Sequence, residues 1–141
     1  MLTEMRRAHV EEMFGHARAA APAECCGLVG GRDASAMSVY PLHNVAPDPE
    51  VSYEAAPQDL FAAQRLMRAR GEQLVGIYHS HPREPDPVPS PRDVRLAFET
   101  SALYFIIGFD ERGGATLRAF RIFEAEGRWE RAEFTVADDD A

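Results

Sequence analysis

Four side chains close together in the sequence have the types and spacing to do chemistry: His79, His81, Ser90 and Asp93, all within Leu74–Leu96. The short apolar run Leu74, Val75, Ile77 and Tyr78 follows the turn signal of Gly71, which predicts a buried strand ending at the two histidines. Side chains alternate across a strand, so His79 and His81 share a face, with Cα atoms about 7 Å apart. Two neutral imidazoles so placed can converge on one ion, and with one carboxylate they make the three-ligand set of a catalytic zinc, whose fourth position takes water. Plainer readings exist for each part. His-x-His also occurs as a hydrogen-bonded or surface pair. Ser90-Pro91-Arg92-Asp93 also reads as an ordinary helix start, with Ser as N-cap, Pro at the first helical position and an acid in the first turn.

The flanking elements must hold these groups. Pro82, Pro85, Pro87, Pro89 and Pro91 remove strand donors and fix φ, so a stiff loop joins the histidine strand to a helix expected to run through Leu96 and Phe98 to about Thr100. Upstream, residues 3–20 read as one amphipathic helix capped by Thr3, with Met5, Val10, Met13, Phe14 and Ala17 on its apolar stripe. His9 and His16 are expected to be solvent-facing or satisfied helix residues. Glu24 to Gly30 reads as a buried strand with Glu24 at its entrance, where a charged edge is the ordinary interpretation. Residues 36–42 form another strand, with Met37 and Val39 on one side. A long ordered loop over 43–57 follows, in which Asn44 stabilises a turn or, with His43, borders the site. Pro57–Arg70 forms a helix with Leu60, Phe61 and Met67 as its core face, and Gly71 ends it. Leu103–Phe109 is a near-continuous apolar run expected of a central strand. Asp110–Gly114 is a turn, and Leu117–Phe123 with Arg128–Val136 forms an outer hairpin around Glu126-Gly127. The sum is an α/β fold, a mixed sheet with helices on both sides, in a single domain over 1–137 followed by an acidic tail at 138–141.

Composition excludes several function classes. The 15 basic and 23 acidic residues among 141 leave a net charge of −8, which argues against a nucleic-acid surface. No run of about 18 apolar residues and no charged-then-apolar leader is present, so neither a membrane span nor a secretory signal is expected, and a cytoplasmic location follows by default. Cys25 and Cys26 are adjacent, which excludes a stabilising long-loop disulfide, and they read as small buried hydrophobes, with a catalytic cysteine as the weaker alternative. The Cys-x-x-Cys patterns of structural zinc and the signature of zinc deaminases are missing.

Taken together, His79-Ser80-His81-Pro82, then Pro89-Ser90-x-x-Asp93, preceded by Glu24 in Pro22-Ala23-Glu24-Cys25-Cys26-Gly27-Leu28-Val29-Gly30, resembles the motif of the JAMM zinc metalloproteases (MPN+, Mov34/PAD-1, JAB domain) of prokaryotic type. The resemblance extends to Asn44-Val45-Ala46-x-Asp48-Pro49 and to the strand-rich C-terminal part. One departure is visible: eight residues separate His81 from Ser90, one more than the family pattern, which predicts a bulge in the proline loop. The resemblance implies a curved, cytidine-deaminase-like mixed sheet and one Zn2+ per chain held by His79, His81 and Asp93. It makes Glu24 the non-ligating acid–base group and Ser90 the hydrogen-bond donor to the carbonyl oxygen. It further implies hydrolysis of the amide or isopeptide bond after the C-terminal Gly-Gly of a ubiquitin-like or sulfur-carrier protein. Because zinc requires neutral imidazoles, activity is expected to collapse below about pH 6. Two other functions fit the same residues: a non-catalytic MPN-type binding module, and a zinc amidohydrolase acting on a small substrate.

Overall fold

The computed structural model describes residues 2–97, 99 and 101–138. The elements run β1 (Thr3–Arg6), α1 (Arg7–Ala20), β2 (Cys26–Arg32), β3 (Ser35–Leu42), α2 (Pro57–Ala69), β4 (Gln73–His81), α3 (Pro91–Leu96), β5 (Leu103–Phe109), β6 (Ala115–Phe123), β7 (Arg128–Ala132) and β8 (Phe134–Ala137). A 3-10 turn at Glu124–Glu126 joins β6 to β7. The strands form one mixed sheet in the order β7-β6-β5-β4-β2-β3-β1-β8. β7 and β8 lie at opposite ends of that order yet only Glu133 separates them in sequence, so the sheet must curl until its two edges approach.

Both faces of the sheet carry helices, as the sequence pattern predicts. On one face Val10, Met13 and Ala17 of α1 pack with Val29, Tyr78, Phe105 and Ile107. On the other, Ala63 and Met67 of α2 cover Cys26, Leu28, Tyr40 and Leu42, while Val94 of α3 covers Tyr104, Ile106 and Phe120. Cys25 and Cys26 therefore point into different cores, free and buried. Burial pushes their thiols up to about 11 and about 12, and both behave as the small hydrophobes expected. The crossovers through α2 and α3 make β4 a central strand, antiparallel to β2 and parallel to β5.

Five expectations need correction. Residues 3–6 are not helical: they pair in register with Phe134–Ala137, with Thr3 and Met5 buried and Glu4 and Arg6 exposed. Met5 satisfies both a helical and an alternating pattern, and the distant β3 and β8, which flank β1 in the sheet, decide between them. The N-cap of α1 is Arg6, without a side-chain cap, so Thr3 has no capping role. Phe61 is 60% exposed, because it sits about 100° around α2 from the stripe of Leu60, Ala63 and Met67. Helix α3 ends at Leu96, where Ala97 turns extended; Phe98 and Thr100 lie outside the described residues. The expected final hairpin also divides: β7 pairs with β6, and β8 pairs parallel with β1 at the other edge.

Of the acidic tail, Asp138 meets Arg7 at 3.4 Å in an exposed pair worth at most about 1 kcal/mol. Residues 139–141 lie outside the described residues. No helix among the described residues is long and apolar enough to cross a membrane.

Candidate metal centre

Alternation along β4 sorts its last residues by face. Tyr78 and Ser80 turn toward α1 and β2: the Tyr78 hydroxyl lies 2.8 Å from His16 Nδ1, and Ser80 Oγ accepts the Cys25 N–H at 2.8 Å. His16 is thus a satisfied helix residue, whereas His9 Nδ1 is buried without a hydrogen-bond partner among the described residues. His79 and His81 turn the other way, 0% and 7% exposed.

The start of α3 delivers the carboxylate. Ser90 has the extended backbone of an N-cap, its Oγ accepts the Asp93 N–H at 3.0 Å, and Asp93 Oδ2 accepts the Ser90 N–H at 2.9 Å. This reciprocal capping box fixes where Asp93 points. Its Oδ2 lies 3.1 Å from His79 Nε2 and 3.1 Å from His81 Nε2, and the two nitrogens are 3.1 Å apart. Ser90 and Asp93 are therefore ordinary helix-start residues, and Asp93 also faces both imidazoles.

Three basic atoms facing one another at this distance need a cation between them, either a proton or a metal ion. A tetrahedral zinc with Zn–N of about 2.0–2.1 Å spaces its ligands about 3.3 Å apart, close to the triangle found here. The electrostatics agree with a cation site. Burial alone would raise the Asp93 carboxyl, but the two imidazoles and the Ser90 N–H hold it far below the usual carboxylate range. Burial alone would lower His81, but the carboxylates of Asp93 and Glu84 raise it to about 9.

Glu24 stands beside this triangle, just ahead of β2. It is 6% exposed, and its carboxylate and the two imidazoles each bring an atom within 4.8 Å of the others. Its backbone is clamped by the 43–56 loop: the Glu24 N–H donates to the Pro49 carbonyl at 2.7 Å, and Asn44 Nδ2 donates to the Glu24 carbonyl at 3.0 Å. Asn44 also donates to the Ser52 carbonyl and accepts from the Ala46 and Glu54 N–H groups, so it both stabilises the loop and borders the site. Burial raises the Glu24 carboxyl to about 7, and its Oε1 has no hydrogen-bond partner among the described residues. A buried, unpartnered carboxylate poised near neutrality is suited to moving protons.

Two neighbours were not singled out from sequence. Tyr53 stacks on His79 with ring centroids 4.6 Å apart, and Glu84 Oε2 lies 2.9 Å from His81 Nδ1. Glu84 carries a local signal, an acid three residues after a histidine across a proline turn; Tyr53 has none, since it arrives from the loop. His43 turns away to pair with Asp59 at 2.8 Å and stays outside the cluster. Two depressions meet the site. A cleft of about 220 Å³ gathers the polar side chains of Glu24, Glu50, His81, Arg83, Glu84 and Ser90 beside Val51 and Pro82. An apolar groove of about 250 Å³ is lined by Cys26, Leu28, Tyr53, Ile77, Leu96 and Tyr104.

The profile of the prokaryotic homologs of the JAB domain matches residues 6–123. The chain belongs to that family. Among its relatives, the desampylase of Haloferax volcanii is 38% identical over 109 residues, covering 72% of this chain and 77% of that protein. A probable TtuB-protein conjugate cleaving protease of Thermus thermophilus is 38% identical over 120 residues, covering 85% of this chain and 76% of the relative. A solution structure of a Desulfitobacterium hafniense protein superposes with a TM-score of 0.82 at 35% identity, covering 99% of this chain and 94% of that one. The JAB-domain assignment bears out the resemblance read from the histidine, serine and aspartate motif, and the curled mixed sheet is the fold it implies.

Proposed function

We propose that this chain is a zinc-dependent peptidase that hydrolyses the amide or isopeptide bond after the C-terminal Gly-Gly of a ubiquitin-like or sulfur-carrier protein. The observation that carries this reading is the triangle of His79 Nε2, His81 Nε2 and Asp93 Oδ2 with the Glu24 carboxylate beside it, whose Oε1 has no hydrogen-bond partner among the described residues. Its relatives named as a desampylase and a conjugate-cleaving protease support the substrate class.

A zinc ion held by His79, His81 and Asp93 would supply Lewis acidity to the attacking water and the scissile carbonyl. Glu24 takes the proton from that water and delivers it to the departing amine, so one carboxyl serves as base and then acid. Ser90 Oγ already accepts the Asp93 N–H, which leaves its own proton free to donate to the carbonyl oxygen as charge gathers there. The position of Glu24 orients the substrate. The departing amine must lie on the side where Glu24 delivers its proton, the cleft that Glu24 lines, which leaves the apolar groove running from Tyr53 to Leu96 for the acyl tail.

The test pairs elemental analysis with cleavage. Wild type purified without chelator is expected to hold one zinc and to release amine from a Gly-Gly-tailed carrier fusion. Glu24→Gln should keep the zinc without the cleavage, and His81→Ala should lose both. A wild type that takes up no added zinc would overturn the reading in favour of a binding module. A small N-acyl amide cleaved as fast as the tailed protein would overturn the substrate assignment.

A further inference from the structure

The two imidazoles facing the proposed metal are prepared unequally. His79 Nδ1 is buried with no hydrogen-bond partner among the described residues, and its ring is held by stacking on Tyr53. His81 Nδ1 instead lies 2.9 Å from Glu84 Oε2. A carboxylate only accepts, so Nδ1 must carry the hydrogen, and in the neutral ring the lone pair is then on Nε2, the atom facing His79 and Asp93.

Glu84 reaches back by a tight turn in which its N–H donates to the His81 carbonyl at 3.0 Å. The loop carrying it is stapled to the sheet at several points. The Glu84 carbonyl rests over Gly108, where any Cβ would collide with it. Thr116 Oγ1 donates to the Pro85 carbonyl at 3.0 Å, and Asp86 meets Arg118 at 3.2 Å. These contacts place the Glu84 carboxylate independently of the histidine it touches, which a stray surface pair would not do. Carboxylates behind metal-bound histidines set ring orientation and tautomer, and their removal weakens metal binding by roughly 10- to 100-fold.

We infer that Glu84 is a positioning residue that holds His81 in the Nδ1–H tautomer, so that Nε2 meets the metal already oriented. This rests on the metal reading of the site. The Glu84 side chain is 51% exposed, so replacing it leaves the core intact.

The experiment measures zinc affinity by chelator competition in wild type, Glu84→Ala and Glu84→Gln, and records histidine-ring 15N spectra of each zinc-bound protein. Glu84→Ala is expected to bind zinc about 10-fold more weakly and to lose a slowly exchanging His81 Nδ1–H signal. Glu84→Gln keeps an acceptor oxygen, so it should retain that signal and stay within about threefold of wild type. An Ala variant within about twofold of wild type that keeps the protected Nδ1–H overturns the inference, as does a Gln variant as poor as Ala. A wild type that takes up no zinc removes the metal reading and this inference with it. Unchanged affinity in Glu84→Ala removes only the inference.

Discussion

Strand β4 has a polar cluster at each end, and the two could hardly be finished more differently. Ahead of its first residue, Glu72 accepts from the hydroxyls of Ser38, at 2.7 Å, and Tyr40, while Arg70 donates to that same Tyr40 hydroxyl at 3.1 Å. Both carboxylate oxygens have partners. At the far end Glu24 Oε1 and His79 Nδ1 are buried without any among the described residues, and three basic atoms crowd together at 3.1 Å. A satisfied, half-buried network ties elements together, here α2, β3 and β4. An unsatisfied one carries a desolvation cost that only a ligand or a proton relieves. The difference marks the far end, and not the near one, as the end that a ligand would complete.

The sharpest way to break this comparison is at Glu24. Glu24→Gln keeps the shape and removes the proton carrier, so turnover on a tailed carrier should fall about 10²- to 10⁴-fold at unchanged zinc content. A loss under tenfold would show that the unpartnered carboxylate is not the acid–base group. Metal removal comes next. If the 79/81/93 triangle is completed by zinc, chelation should lower unfolding free energy by about 4 kcal/mol relative to protein at a thousandfold excess of zinc over Kd, read from denaturant curves. Ser90→Ala removes a cap and an oxyanion donor together. It should cost about 1 kcal/mol of stability and about 10²-fold in kcat, and a stability loss without the kinetic one would reduce Ser90 to its capping role.

The pH response should differ in sign with metal. Burial raises Glu24 to about 7, and the Asp93 and Glu84 carboxylates outweigh burial to raise His81 to about 9. Both groups hold protons more tightly folded than unfolded. The metal-free protein therefore loses stability as pH rises through about 7 and again through about 9. Zinc competes with those protons, so the melting-temperature gap between loaded and metal-free protein should widen from roughly pH 6 to pH 9. A gap that narrows would contradict the shared site. The smallest effect belongs to the other end of β4: Tyr40→Phe should cost about 1–2 kcal/mol and leave zinc content and turnover unchanged.

Local patterns carried much of the molecule. The strand ending at His79 and His81, the N-cap at Ser90, the Gly71 stop, which has φ of +67°, and the apolar strand at Leu103–Phe109 each depend on interactions within a few residues, and each is where the pattern put it. Period-two alternation also places both histidines on one face, so two of the three corners of the His79–His81–Asp93 triangle follow from the chain alone. The ends of the chain were illegible for the opposite reason. Residues 3–6 are a strand because Phe134–Ala137 and the start of β3 lie on either side of them, and Arg128–Val136 breaks in two because its second half must reach that partner.

What the sequence by itself determined is the set of reactive groups and the local geometry that aims each one: an alternating strand for the imidazoles and a helix start for Ser90 and Asp93. Tertiary structure alone decided their convergence. The curl of the sheet and the α3 crossover bring Asp93 to within 3.1 Å of both rings, and the loop clamped by Asn44 brings Glu24 and Tyr53 to the same place. Distances between groups separated by a dozen or more residues depend on how whole elements pack, and no local periodicity encodes that.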